Sequence, residues 1–131
     1  MMRRQWTRVA LTLALAVSAC ALPGKKQRYG KDPVIPPAMV RVENQNYADM
    51  NVYVVQSGMR RRLGTVPGLT TQRFTLPRDV PLETMDIRLL ADPIGGVGTY
   101  LSPAVQVHPG QEMDLTVAAA LHLSSLAVWN P

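Results

Sequence analysis

The stretch Asn51-Val52-Tyr53-Val54-Val55-Gln56-Ser57-Gly58-Met59-Arg60-Arg61-Arg62-Leu63-Gly64-Thr65-Val66 decides the fold. Its first half alternates with a period of two: Val52 and Val54 share one face, Tyr53 and Val55 the other. Apolar side chains on both faces predict a central or covered strand. Ser57-Gly58 is a two-residue hairpin turn, so Met59–Val66 is the return strand, closed by Pro67-Gly68. A hairpin of this kind cannot bury its apolar face alone and needs further strands.

The flanking sequence supplies them. Upstream, Val40 and Val42 alternate with Arg41 and Glu43, and polar Asn44 to Asn51 reads as a turn. Downstream, Thr70–Leu76 is a strand with Phe74 and Leu76 in the core. Thr84–Ala91 is the next, placing Met85, Ile87 and Leu89 on one face, with a turn at Asp92-Pro93 and Gly95-Gly96. Gly98–Val107 follows, interrupted by Pro103, which has no N–H for a ladder and so marks an edge or bulge. Pro109-Gly110 fits the centre of a type II turn. Glu112–Ala119 sets Met113, Leu115, Val117 and Ala119 against Glu112, Asp114, Thr116 and Ala118. Leu121–Trp129 is expected to be extended. About seven short strands with regular turn signals predict an all-β, antiparallel β-sandwich over residues 38–131. The pattern is similar to small immunoglobulin-like or transthyretin-like sandwiches, an architectural likeness that carries no site residues with it.

The start of the chain is different. Arg3, Arg4 and Arg8 precede an apolar run from Val9 to Ala19, whose end together with the next residue reads Val17-Ser18-Ala19-Cys20. This eleven-residue run is too short for a spanning helix, which needs about 20 apolar residues. Positive, apolar and small-residue regions in this order make a secretory signal. Val17–Cys20 resembles the lipobox of bacterial lipoprotein signal peptides. The resemblance implies cleavage of residues 1–19 before Cys20, with a diacylglycerol and an N-acyl chain on that cysteine. It also implies a cell-envelope location. Ala21, rather than Asp, after the cysteine implies the outer membrane facing the periplasm in a Gram-negative host. Two or more acyl chains anchor stably where one would be marginal. Residues 20–37 hold Pro23, Gly24, Gly30, Pro33, Pro36 and Pro37 with Lys25, Lys26, Arg28 and Lys31, and read as a flexible basic tether.

Composition narrows the function. The formal charge of +5 belongs to the uncleaved chain. Losing Arg3, Arg4 and Arg8 takes the fourteen basic side chains to eleven, against nine acidic. That balance, in an exported protein, argues against nucleic acid as a partner. Cys20 is the single cysteine, so no internal disulfide can form and the apolar core must carry the fold.

Candidate chemistry is sparse. His108 precedes a turn and His122 lies among leucines; no nucleophile elbow accompanies either. Asn44, Asn46, Asp49 and Asn51 offer oxygen ligands to calcium, but such residues equally build turns through their own backbone. Gly95-Gly96-Val97-Gly98 lacks the lysine of a phosphate loop. Tyr47, Tyr53, Tyr100 and Trp129 would need to converge to make a ligand platform, and aromatics are only 5% of the chain. Arg60-Arg61-Arg62 is the sharpest charge cluster. On a strand, Arg60 and Arg62 share one face and Arg61 takes the other. Such charges protect a sheet edge or form a docking patch for an acidic partner. The expected function is therefore a non-enzymatic, lipid-anchored envelope module that binds the membrane through Cys20 and an envelope protein through its domain. No cofactor or metal is expected. The alternative is a ligand-binding lipoprotein for a glycan or small envelope molecule, with an envelope hydrolase less favoured.

Overall fold

The structure is a computed structural model and describes Gly30 and residues 33–131. The chain divides into two units, Met1–Asp32 and Pro33–Pro131, and the fold is that of the second. Cys20, the signal and most of the tether lie outside the described residues.

Two four-stranded sheets form the domain. The first contains β1 (Met39–Asn44), β4 (Thr71–Thr75), β7 (Glu112–Val117) and β8 (Ser125–Trp129), in the order β4-β1-β7-β8. The second contains β2 (Met50–Gln56), β3 (Met59–Val66), β5 (Arg88–Pro93) and β6 (Tyr100–Leu101), in the order β3-β2-β5-β6. Alternation builds the core directly. Val40 and Val42 of β1, Val52 and Val54 of β2, and Met113 and Leu115 of β7 are all buried. Each side chain of this size stabilises by about 1.5–3 kcal/mol when fully buried. The β2–β3 turn has φ of 49° at Ser57 and 76° at Gly58, the two left-handed residues a type I′ hairpin requires. At Pro109-Gly110, φ is 81° at Gly110 and the Gln111 N–H donates to the His108 carbonyl, closing the type II turn.

The fold is an all-β sandwich, mostly antiparallel. One pairing is parallel: β1 and β7 run side by side from Met39↔Glu112 to Asn44↔Val117. Several elements depart from the expected bounds. The strand expected at Thr84–Ala91 starts later, at Arg88, and continues through Asp92 and Pro93. Residues 84–86 form a connection, and Met85 is 75% exposed. The Asp86 carboxylate explains this: it accepts from Ser57 Oγ at 2.9 Å and Gln56 Nε2 at 3.3 Å, holding the segment against the β2–β3 turn. Ile87 and Leu89 stay in the core. Pro93 ends β5 without an N–H, and the next donor, Ile94, bonds the Asp49 carbonyl.

The expected strand Gly98–Val107 contracts to the two residues of β6 plus a bridge from Ile87 to Val105. β6 is an edge strand and stops short of Pro103, which has no N–H for a ladder. The eighth strand follows a short 3-10 turn at Leu121–Leu123. Glu112, expected among exposed polar residues, is only 1% exposed. Its register places it between Met39 and Trp129 on the outer face of the first sheet, and one oxygen pairs with Arg73.

Asp86 carries a pH signature. Hydrogen bonds, from Thr84 and Ser57 above all, hold its carboxyl below the ordinary value of 3.8 against the opposing effect of burial. A folded-state value below the unfolded one contributes stability at neutral pH that disappears as pH falls through the folded value. Asp86→Asn should therefore narrow the difference in melting temperature between neutral and acidic buffer. Parallel thermal melts of both chains across the acidic range check this.

Candidate interaction surface

The outer face of the second sheet brings charge and apolar surface together. Its rungs follow from the pairing. Arg60 lies opposite Val55, which lies opposite Arg88; Arg62 lies opposite Tyr53, then Leu90, then Leu101. Cross-strand partners point to the same face, so Arg60, Arg62 and Arg88 share it. Neighbouring strands are about 4.8 Å apart, which sets Arg60 and Arg88 roughly 10 Å apart across Val55.

A β-bulge shapes one side. Val52 pairs with Gly64 but Tyr53 pairs with Arg62, leaving Leu63 as the extra residue. The bulge lets Arg62 and Thr65, three apart in sequence, meet on one face. Arg62 donates to Thr65 Oγ1 at 2.6 Å and to Asn51 Oδ1 at 2.9 Å. Arg60 lies over the Tyr53 ring, 5.7 Å from its centroid, a contact worth about 0.5–1 kcal/mol at an exposed site. Arg88 donates to the Ser102 carbonyl at 3.3 Å. All three guanidinium groups are thus oriented by neutral groups.

The remaining arginines differ. Arg61 points to the opposite side of β3 and pairs with Asp79; Arg41 pairs with Asp114 and Arg73 with Glu112. Among the described residues, Arg60, Arg62, Arg78 and Arg88 have no carboxylate within 4.0 Å, and three of these four lie on this one face. Asp92, opposite Asn51, is the carboxylate one rung beyond. β3 is also an edge strand. Edge protection accounts for charges on β3, but not for Arg88, which belongs to an inner strand.

No protein-family model matches the chain. No curated protein matches it either. One solved structure, described as the NMR structure of the protein from Eubacterium rectale, is similar over 72% of this chain and 90% of its own, with 10% identity and a TM-score of 0.47. At that distance the likeness assigns no activity or ligand.

The other candidate residues are dispersed or already engaged. Tyr53 is on this face, Trp129 on the outer face of the first sheet, Tyr47 in an end loop, and Tyr100 packs against the core. The four aromatics do not converge. His108 Nδ1 lies 3.5 Å from Glu83, whereas the Ser57 hydroxyl donates to Asp86, so these serine and imidazole contacts are separate. The loop oxygens are turned onto backbone: Asn44 Oδ1 accepts from Asn46 N–H, Asn46 Oδ1 from Ala48 N–H, and Asp49 Oδ1 from Gly68 N–H. Among the described residues no three His, Cys, Asp or Glu side chains gather as for a metal.

Sequence reasoning found Arg60 and Arg62 but missed Arg88. The missing link is the β2–β5 pairing, which joins residues more than thirty apart and has no local signature.

Proposed function

We propose that the protein is a lipid-anchored envelope protein, held to the membrane through Cys20, whose sandwich is a non-enzymatic interaction module docking an acidic envelope protein. In a Gram-negative host the membrane is the outer one, with the domain on its periplasmic side. The observation that carries this reading is the set of three arginines, Arg60, Arg62 and Arg88, sharing one sheet face without carboxylate partners. Arginine presents a planar fork suited to carboxylates. Tyr53 and Val55 between the forks give apolar area that a flat partner can cover. Complementary charge speeds encounter and selects the partner more than it adds raw affinity.

Crosslinking in intact membranes, followed by mass spectrometry, tests the proposal. The unmodified chain should trap one acidic protein. Arg60→Glu, Arg62→Glu and Arg88→Glu together should lower that yield by at least about tenfold, equivalent to 1.4 kcal/mol. Cys20→Ala should release the chain from the membrane fraction. A chain that traps no partner, or an adduct indifferent to the reversals, overturns the docking role; retention of the Cys20→Ala chain overturns the anchor.

A further inference from the structure

The loops at one end of the sandwich display apolar side chains on a rigid frame. This end is where β1 passes to β2, β3 to β4, β5 to β6 and β7 to β8. Tyr47 is 84% exposed there, Leu69 59% and Val97 98%, with Ile94 and Leu123 also exposed. The described domain begins at the opposite end, where residues 35–38 line a groove with Leu76 and Val80.

Leu69 is the informative residue. Its φ is +58°, a left-handed conformation that glycine or asparagine adopts at less cost. A leucine in that conformation, facing solvent, contributes little to the core. Side chains held in such strained positions cluster at functional sites. The frame that holds it is built from the interior outward. Buried Asn44 donates Nδ2 to the Ala48, Val66 and Pro67 carbonyls. Leu69 N–H donates to the Asn46 carbonyl, and Gly68 N–H to Asp49 Oδ1. Asn46 Nδ2 reaches the Ala119 carbonyl, and Ile94 N–H the Asp49 carbonyl. All four loops are thereby linked or abutting. A shallow depression of about 450 Å³ runs between Asn46 and Ala48 on one side and Val97 and Leu121 on another. Preorganised apolar groups lose little entropy on binding, which favours tight association for a given area.

Charge defines the partner. Asp49 and Asp92 sit at this end, with Glu43 beside Arg41 at 3.7 Å, while Arg60, Arg61, Arg78 and Arg88 lie toward the opposite one. An anionic lipid surface would be repelled. We propose that this loop end is a second docking site, independent of the arginine face, for a protein surface that is apolar at its centre and basic at its rim. A domain with two such surfaces would bridge two partners.

A photocrosslinking residue in place of Val97, in the full-length chain in its own membranes, tests this. The expected result is one protein adduct whose crosslinked peptide carries apolar residues flanked by Lys or Arg. Leu69→Asn should lower its yield by at least about tenfold, as for a hot-spot residue. The same substitution should leave the melting temperature unchanged or raise it, because asparagine tolerates the left-handed backbone. Glu43→Lys with Asp92→Lys should lower the yield too. A lipid adduct, a dimer of this chain, no adduct, or a yield indifferent to Leu69→Asn overturns the proposal.

Discussion

Asn44→Ala should destabilise the domain by about 2–4 kcal/mol, because it strands several partly or fully buried backbone groups at once. Asn44 is 1% exposed and ends β1 on the core side. Its amide spans the β1–β2 loop and the β3–β4 loop, meeting Ala48 O at 2.9 Å and Val66 O and Pro67 O each at 3.2 Å. Its Oδ1 takes the Asn46 N–H at 3.0 Å. Alanine replaces none of these contacts. The Val66 carbonyl is the costliest, since its bond to Asn44 is buried and water does not replace it easily. For a domain of this size, 1 kcal/mol corresponds to roughly 4–8 °C in melting temperature. A fall of roughly 10–25 °C is expected by calorimetry. Asn44→Asp should be no better, because a carboxylate has no N–H to give three carbonyls. An Asn44→Ala chain that melts within a few degrees of the parent would mean that other groups satisfy these carbonyls.

The same residue shows where sequence reading stops. Val40 and Val42 announce β1 by alternation, and continuing the alternation places position 44 inside. A polar residue at that point reads as the start of the turn, and only the three facing carbonyls explain it as part of the strand. The β2–β3 hairpin is legible because both its turn residues and its alternation are local. Thr84–Asp86 is not, since Met85 fits the strand period while the side chains of Gln56 and Ser57 hold the segment out of the sheet. Glu112 fits the polar half of its strand, yet cross-strand neighbours cover it. The arginine face is half legible for the same reason: Arg60 and Arg62 share a strand, whereas Arg88 joins them through pairing at long range.

The two proposed docking sites occupy different parts of one sandwich, so they can be separated by substitution. Arg60, Arg62 and Arg88 stand on paired strands, β3 and β5, rather than in the end loops. Leu69 and Tyr47 depend on those loops entirely. Loss of loop order should therefore abolish one binding event and spare the other.

Gly68→Ala supplies that separation and carries the second large stability effect. Gly68 packs against backbone: a Cβ there would lie 2.2 Å from the Tyr47 carbonyl oxygen, 2.7 Å from its carbon and 3.2 Å from the Asn46 oxygen. None of these atoms is a flexible side-chain tip, so the β1–β2 and β3–β4 loops must move apart. Overpacking of this kind costs about 1–3 kcal/mol. The displacement also breaks Leu69 N–H to Asn46 O at 3.0 Å and Gly68 N–H to Asp49 Oδ1 at 2.9 Å, adding about 0.5–1.5 kcal/mol for each bond not replaced by water. A total loss of about 2–4 kcal/mol is expected from urea unfolding. Gly64→Ala is the informative contrast. A Cβ there meets Phe74 Cε1 at 2.5 Å, but that obstacle is a half-buried ring that can turn. It should cost less than Gly68→Ala, although both add one methyl group. Native-state hydrogen exchange should show the Leu69 amide losing protection in Gly68→Ala, while amides along β2 and β5 lose only what the lower global stability demands. Equal costs for the two substitutions, or a Leu69 amide no less protected relative to β2, would show that the loops are not locked through Gly68.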